Sequence, residues 1–174
     1  MQILLPPQVT KRLNRELCRS GNREIGGLLF GEHLRDELFR VVEISVQRSG
    51  GSRSCFIRNP KKHQAQLQEF FARTGKNYSR FNYLGEWHSH PGFEPVPSLT
   101  DIRTMQSIVD DPGVGVNFLV LLIAKLAGSK QIEVTASAFR TGTPPLSVAL
   151  LPEDDNDTQT DGVAYRWLRR IFRI

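Results

Sequence analysis

The sequence predicts an α/β fold, a mixed and curved β-sheet with flanking helices, and three features carry that prediction. Residues 38–47 and 132–139 alternate apolar with polar positions, as strands with one covered face do. Residues 116–124 are an almost unbroken apolar run, the pattern of a strand buried on both faces. Between such segments, apolar residues recur every three or four positions, which is the helical period. A chain of 174 residues is most simply one domain, long enough to bury a core without disulfides or metal staples.

Each element has its own local justification. Ile3, Leu4 and Leu5 form a short first strand that Pro6 ends, and Pro7 suits the first turn of a helix because no N–H is needed there. Val9, Leu13 and Leu17 give that helix an apolar face to about Arg19, where Gly21 and Asn22 stop it. Residues 24–31 are a buried strand or strand edge, and Gly26 and Gly27 within it imply close approach of the backbone to something. After the strand at 38–47, Ser49, Gly50, Gly51 and Ser52 make a turn, and residues 54–57 a further short strand in which Cys55 is a packed thiol. A second helix runs from Pro60 to about Thr74, with Ala65, Leu67, Phe70 and Phe71 inward and Lys61, Lys62, His63 and Arg73 on a solvated basic face. Residues 80–90 are a strand. Residues 100–109 are a helix with Ile102, Met105, Ile108 and Val109 inward. Gly128, Ser129 and Lys130 turn the chain between the last two long strands.

Beyond Thr141 the character changes. Pro144, Pro145 and Pro152 punctuate an extended segment, and Glu153, Asp154, Asp155, Asp157 and Asp161 form an acidic linker. Residues 163–174 are basic and aromatic, with Tyr165, Leu168, Ile171 and Phe172 able to share one helical face. The sequence thus divides into a main domain, 1–142, and a C-terminal extension, 143–174, that docks on the domain itself or serves a partner or membrane surface. A net charge of +5 is too small and dispersed to indicate nucleic-acid binding. Cys18 and Cys55 match no ligand spacing, the N-terminus has no secretory pattern, and the most apolar run is too short to span a bilayer. A reducing, cytoplasmic location is expected.

The chemistry is concentrated in Gly85-Glu86-Trp87-His88-Ser89-His90-Pro91, followed by Ser98 and Asp101. In a strand, residues two apart share a face, so His88 and His90 project together. Pro91, Gly92, Pro95 and Pro97 turn the chain into a loop, and Asp101 in the first turn of the next helix can fold back toward both imidazoles. Two histidines and a carboxylate with a fourth position open are ligands of a catalytic zinc. Each residue alone also has a plainer role: a packed histidine, a helix N-cap at Ser98, or an acid complementing a helix dipole at Asp101. It is the combination, in a chain with only four histidines, that points to a metal.

Glu24 within Glu-Ile-Gly-Gly-Leu-Leu-Phe-Gly, then His88-Ser89-His90-Pro91, then Ser98-Leu99-Thr100-Asp101 resembles the complete motif of the JAMM (JAB/MPN/Mov34) metalloproteases, in residue type, spacing and order. The resemblance implies a JAB/MPN, cytidine-deaminase-like fold and one catalytic Zn²⁺ held by His88, His90 and Asp101. It implies Glu24 as general base and Ser98 as a donor to the oxyanion, with zinc supplying an activated water. Ser89 and Trp87 are then structural, on the opposite strand face. The implied substrate is the C-terminal tail of a ubiquitin or ubiquitin-like protein and its conjugates. The compact chain is similar to stand-alone bacterial members, which act in ubiquitin-like systems, including antiviral defence operons of the CBASS type, or process sulfur-carrier proteins. A non-catalytic MPN-type scaffold is the alternative, although all five motif positions stand here. A zinc nucleobase deaminase is set aside, because His-x-Glu and Pro-Cys-x-x-Cys are both missing.

Overall fold

The computed structural model describes residues 1–128 and 131–153. In chain order the elements are β1 (Gln2–Leu5), α1 (Pro7–Ser20), β2 (Gly26–Arg35), β3 (Leu38–Ile44), α2 (Lys61–Arg73), β4 (Phe81–Ser89), α3 (Leu99–Asp110), β5 (Leu119–Leu126), β6 (Ile132–Arg140), β7 (Thr143–Ser147) and β8 (Ala149–Pro152). The strands form one mixed, curved sheet in the order β7-β6-β5-β4-β2-β3-β1-β8. β4 runs antiparallel to β2 and parallel to β5, with α3 as the crossover between β4 and β5. The expected α/β architecture is the one observed.

Burial explains the patterns in the sequence. Val9, Leu13 and Leu17 of α1 pack with Leu29, Trp87, Val120, Leu122 and Ala124 on one face of the sheet. Met105 and Val109 of α3 pack with Leu119, Leu121 and Ile123 on the other. Alternate residues of β5 therefore face two separate helices, which is why its sequence is apolar without a break from Leu119 to Ala124. Phe70 of α2 stacks on Phe30 with ring centroids 5.0 Å apart and closes a third cluster with Leu28. The Pro-punctuated segment after Thr141 supplies β7 and β8, and β8 pairs in parallel with β1.

Several local expectations are corrected. His63 is 1% exposed, not on a solvated face: its Nδ1 lies 2.7 Å from Ser45 Oγ at the end of β3, because the first turn of α2 leans on the sheet. Residues 54–57 are not a strand. They belong to a loop whose only β pairing is the bridge Gly51–Phe56, and Cys55 is exposed there, not packed. Ala65, expected to face inward, is exposed. The turn at Ser129 and Lys130, the acidic linker beyond Glu153 and the basic segment 163–174 lie outside the described residues.

Candidate metal centre and active site

The C-terminal half of β4 carries the site. Its register places Gly26 opposite His88 on the β2 side and Ile123 opposite it on the β5 side. Trp87 is fully buried among the residues that pack α1, and its Nε1–H donates to Ser45 O at 2.8 Å. Ser89 is also buried. Its Oγ accepts from Ile25 N at 2.9 Å and its own N–H donates to Ile25 O at 2.8 Å. Both residues are structural, as expected, and Ser89 fixes the position of Glu24 by gripping the next residue on both sides of its backbone.

His88 and His90 face the other way, each 7% exposed. The structure brings them together with Asp101. His88 Nε2 lies 3.1 Å from His90 Nε2 and 3.4 Å from Asp101 Oδ1, and His90 Nε2 lies 3.7 Å from Asp101 Oδ2. Donors about 2.0–2.1 Å from a tetrahedral zinc stand roughly 3.3 Å from one another, so this triangle has the dimensions of a ligand set. Its tautomers agree with that use. His90 Nδ1–H donates to Glu94 O at 3.0 Å, which leaves the Nε2 lone pair turned into the triangle.

Asp101 is held by the helix start that contains it. Ser98 is the N-cap of α3: its N–H and hydroxyl both donate to Asp101 Oδ2, at 2.8 and 2.7 Å, and its Oγ accepts from Asp101 N at 3.2 Å. Oδ1 is left facing His88. Burial alone would raise the Asp101 pKa, but the hydrogen bond and charge of His88 together with the Ser98 bonds outweigh it and hold the carboxyl far below the usual range. Burial lowers the His90 pKa, with Glu94 O and His88 as smaller opposing and reinforcing influences.

Glu24, just ahead of β2, is 4% exposed, and its N–H donates to Ser52 O at 2.7 Å. Burial pushes its pKa up; His88 pulls it down, and Asp101 raises it further. A carboxyl displaced upward beside a metal-ligand triangle suits a group that must both accept and return a proton. Ser98 stands at the same centre, with its hydroxyl resting on Asp101.

Sequence reasoning named neither aromatic wall as a site residue. Phe56 stacks on His88 at a centroid distance of 6.3 Å, and Phe93 meets the His90 ring edge-on at 6.5 Å. It also missed Gln47, which is 4% exposed and ties the loop carrying Phe56 together. The alternation beside it, with Ile44 and Val46 as its apolar positions, puts Gln47 outward, so the sequence carries no sign of its burial.

The model of the family described as prokaryotic homologs of the JAB domain matches residues 6–140. A CD-NTase/cGAS isopeptidase of Vibrio cholerae is 32% identical over 126 residues, spanning 71% of this chain and 76% of the relative. The 26S proteasome non-ATPase regulatory subunit 14 of Caenorhabditis elegans is 30% identical over 139 residues, which is 80% of this chain and 42% of that longer protein. The solution structure of a protein from Desulfitobacterium hafniense superposes with a TM-score of 0.66 over 88% of this chain and 94% of its own, at 17% identity, a likeness of fold alone.

Proposed function

The chain belongs to the family of prokaryotic homologs of the JAB domain, and on that premise we propose that it is a zinc-dependent isopeptidase cutting after the C-terminal tail of a ubiquitin or ubiquitin-like protein. The observation that carries the proposal is the convergence of His88, His90 and Asp101 at zinc-ligand spacing beside the buried Glu24. Held by those three residues, zinc would supply an acidified water and a Lewis acid toward an amide carbonyl.

The chain's own residues do the rest. Glu24 takes the proton of the attacking water and returns it to the departing amine; its raised pKa strengthens it as the base of the first transfer. Ser98 serves the centre twice: its backbone N–H keeps Asp101 in place, and its hydroxyl, which donates to Asp101 Oδ2 in this structure, would turn from that oxygen to donate to the developing oxyanion. Phe56 and Phe93 limit water around the imidazoles. No nucleophilic side chain is required. An extended tail of small residues can approach such a centre closely, as bulky ones cannot. The V. cholerae relative's name, an isopeptidase of a CD-NTase/cGAS system, supports a bacterial ubiquitin-like pathway, and antiviral defence, as the setting.

The test pairs metal content with cleavage of a ubiquitin-like protein fused at its C-terminus. Wild type should carry one zinc and cleave. His88→Ala should lose both properties. Glu24→Gln should keep zinc and lose about 10²–10⁴ in kcat, the usual worth of a general base. Zinc-loaded wild type that cleaves no ubiquitin-like fusion would overturn the proposal.

A further inference from the structure

Residues 48–58 form an arch between β3 and α2, beside the metal centre. Gln47 closes its neck. The side-chain Nε2 donates to Ser49 O at 2.8 Å and to Ile57 O at 2.9 Å, while Oε1 accepts from Asn59 N at 2.8 Å. One buried amide thus joins both feet of the arch. The Gln47 backbone exchanges two hydrogen bonds with Gly26, of 2.6 and 3.3 Å, and Gly26 is the residue opposite His88. The clamp is therefore rooted one strand away from a metal ligand.

The rest of the arch is tied at four further points. Ser52 O accepts from Glu24 N at 2.7 Å, and the Phe56 ring lies over the His88 imidazole. Arg58 Nε donates at 2.6 Å to Glu86 Oε1, on the residue two before His88. Arg48 binds Glu16 of α1 at 2.6 and 2.7 Å, through a carboxylate that is itself buried. The anchors reach α1, the start of β2 and the strand of the histidines, so the chain's own elements brace the wall over the centre. A cleft that is already ordered does not spend binding energy on ordering.

We propose that Gln47 is a positioning residue for the peptidase reaction, and that the arch it closes is preformed, so that an extended tail peptide suffices to fill the cleft and no folded partner is needed to assemble it. This rests on the peptidase reading above. Gln47 touches neither substrate nor metal. It acts through Phe56, which faces His88, and through Ser52, which holds the Glu24 backbone.

The experiment compares wild type with Gln47→Leu on two zinc-loaded reactions: cleavage of a full-length ubiquitin-like fusion, and cleavage of a fluorogenic peptide bearing only its tail. A third readout is native-state trypsin nicking after Arg53, which is exposed in the arch. Wild type should turn over both substrates with kcat within about 3-fold, the folded body contributing to KM alone. Gln47→Leu should lower kcat by about 10–100-fold on both substrates, as expected of catalytic groups displaced by a fraction of an ångström to an ångström. It should also speed nicking at Arg53 at least about 10-fold by local opening, and Gln47→Glu, which keeps the acceptor to Asn59 but not the two donors, should fall between. Unchanged kcat or unchanged nicking in Gln47→Leu would overturn the assignment. So would a wild-type kcat that collapses on the tail peptide alone. If wild type cleaves neither substrate, the peptidase reading fails, while the nicking comparison still decides whether Gln47 holds the arch.

Discussion

Replacing Gly26 by alanine should force apart the two strands that carry opposite halves of the site. A Cβ at Gly26 would lie 2.4 Å from Trp87 O, 2.6 Å from Phe56 Cε1 and 2.8 Å from His88 Cβ. Ordinary contact begins near 3.4 Å, so the nearest backbone atom must retreat by about 1.0 Å, the difference between 3.4 and 2.4. That atom belongs to a buried sheet backbone and has no flexible end to swing aside. Gly26 sits two residues after the proposed base and directly opposite a proposed ligand, so the displacement falls between Glu24 and His88. Overpacking of this kind costs about 1–3 kcal/mol of stability. A 1 Å misplacement of catalytic groups costs about 10²-fold, and zinc affinity should weaken by at least about 10-fold as the ligand strand shifts. The assays are zinc competition with a chromogenic chelator, kcat/KM on a ubiquitin-like fusion, and urea unfolding. Gly92→Ala is the control: it lies beside the same centre, and a Cβ there meets nothing within 4 Å. If Gly26→Ala keeps zinc affinity and kcat/KM within about twofold of wild type, the reasoning from strand spacing is refuted.

Two further predictions concern stability and the role of Ser98. His63 is buried, and burial, reinforced by Arg58 and Lys62, lowers its pKa. The folded state therefore holds it neutral while the unfolded chain takes up a proton near its ordinary value of about 6.5. The contribution to stability is fully present above that value and is lost as pH falls toward the lowered folded value. Urea unfolding at about pH 7.5 and about pH 5.5 should show the loss in wild type and a flatter pH dependence in His63→Leu; an identical slope in both would assign it elsewhere. Ser98→Ala should cost about 1 kcal/mol as a lost N-cap and about 10²–10³ in kcat as a lost oxyanion donor, with zinc retained because the Ser98 N–H still holds Asp101. Loss of zinc in that variant, measured by metal analysis, would make Ser98 a brace for Asp101 instead.

What the sequence determined by itself is whatever depends on local periodicity and covalent spacing. The two-residue step from His88 to His90 puts both imidazoles on one face of any strand. The Ser98–Asp101 spacing makes a capping box wherever a helix begins, and that box aims the carboxylate. The alternation of 132–139 and the apolar run in β5 report which faces are covered, because burial acts on side chains in register with the strand. The tertiary structure decided what depends on which strands become neighbours. Glu24 is more than sixty positions from His88 along the chain, and only the β2–β4 pairing, with Gly26 against His88, brings it to the site. His63 read as solvated because its sequence neighbours Lys61 and Lys62 are charged; it is buried because α2 leans on Ser45, a contact no helical period contains. Residues 54–57 have strand composition but no partner strand beside them, so they close an arch instead of joining the sheet. The clamp at Gln47 exists for the same reason: a polar side chain turned inward is stabilised only when distant backbone groups arrive to bind it, and the fold alone brings Ile57 and Asn59 there.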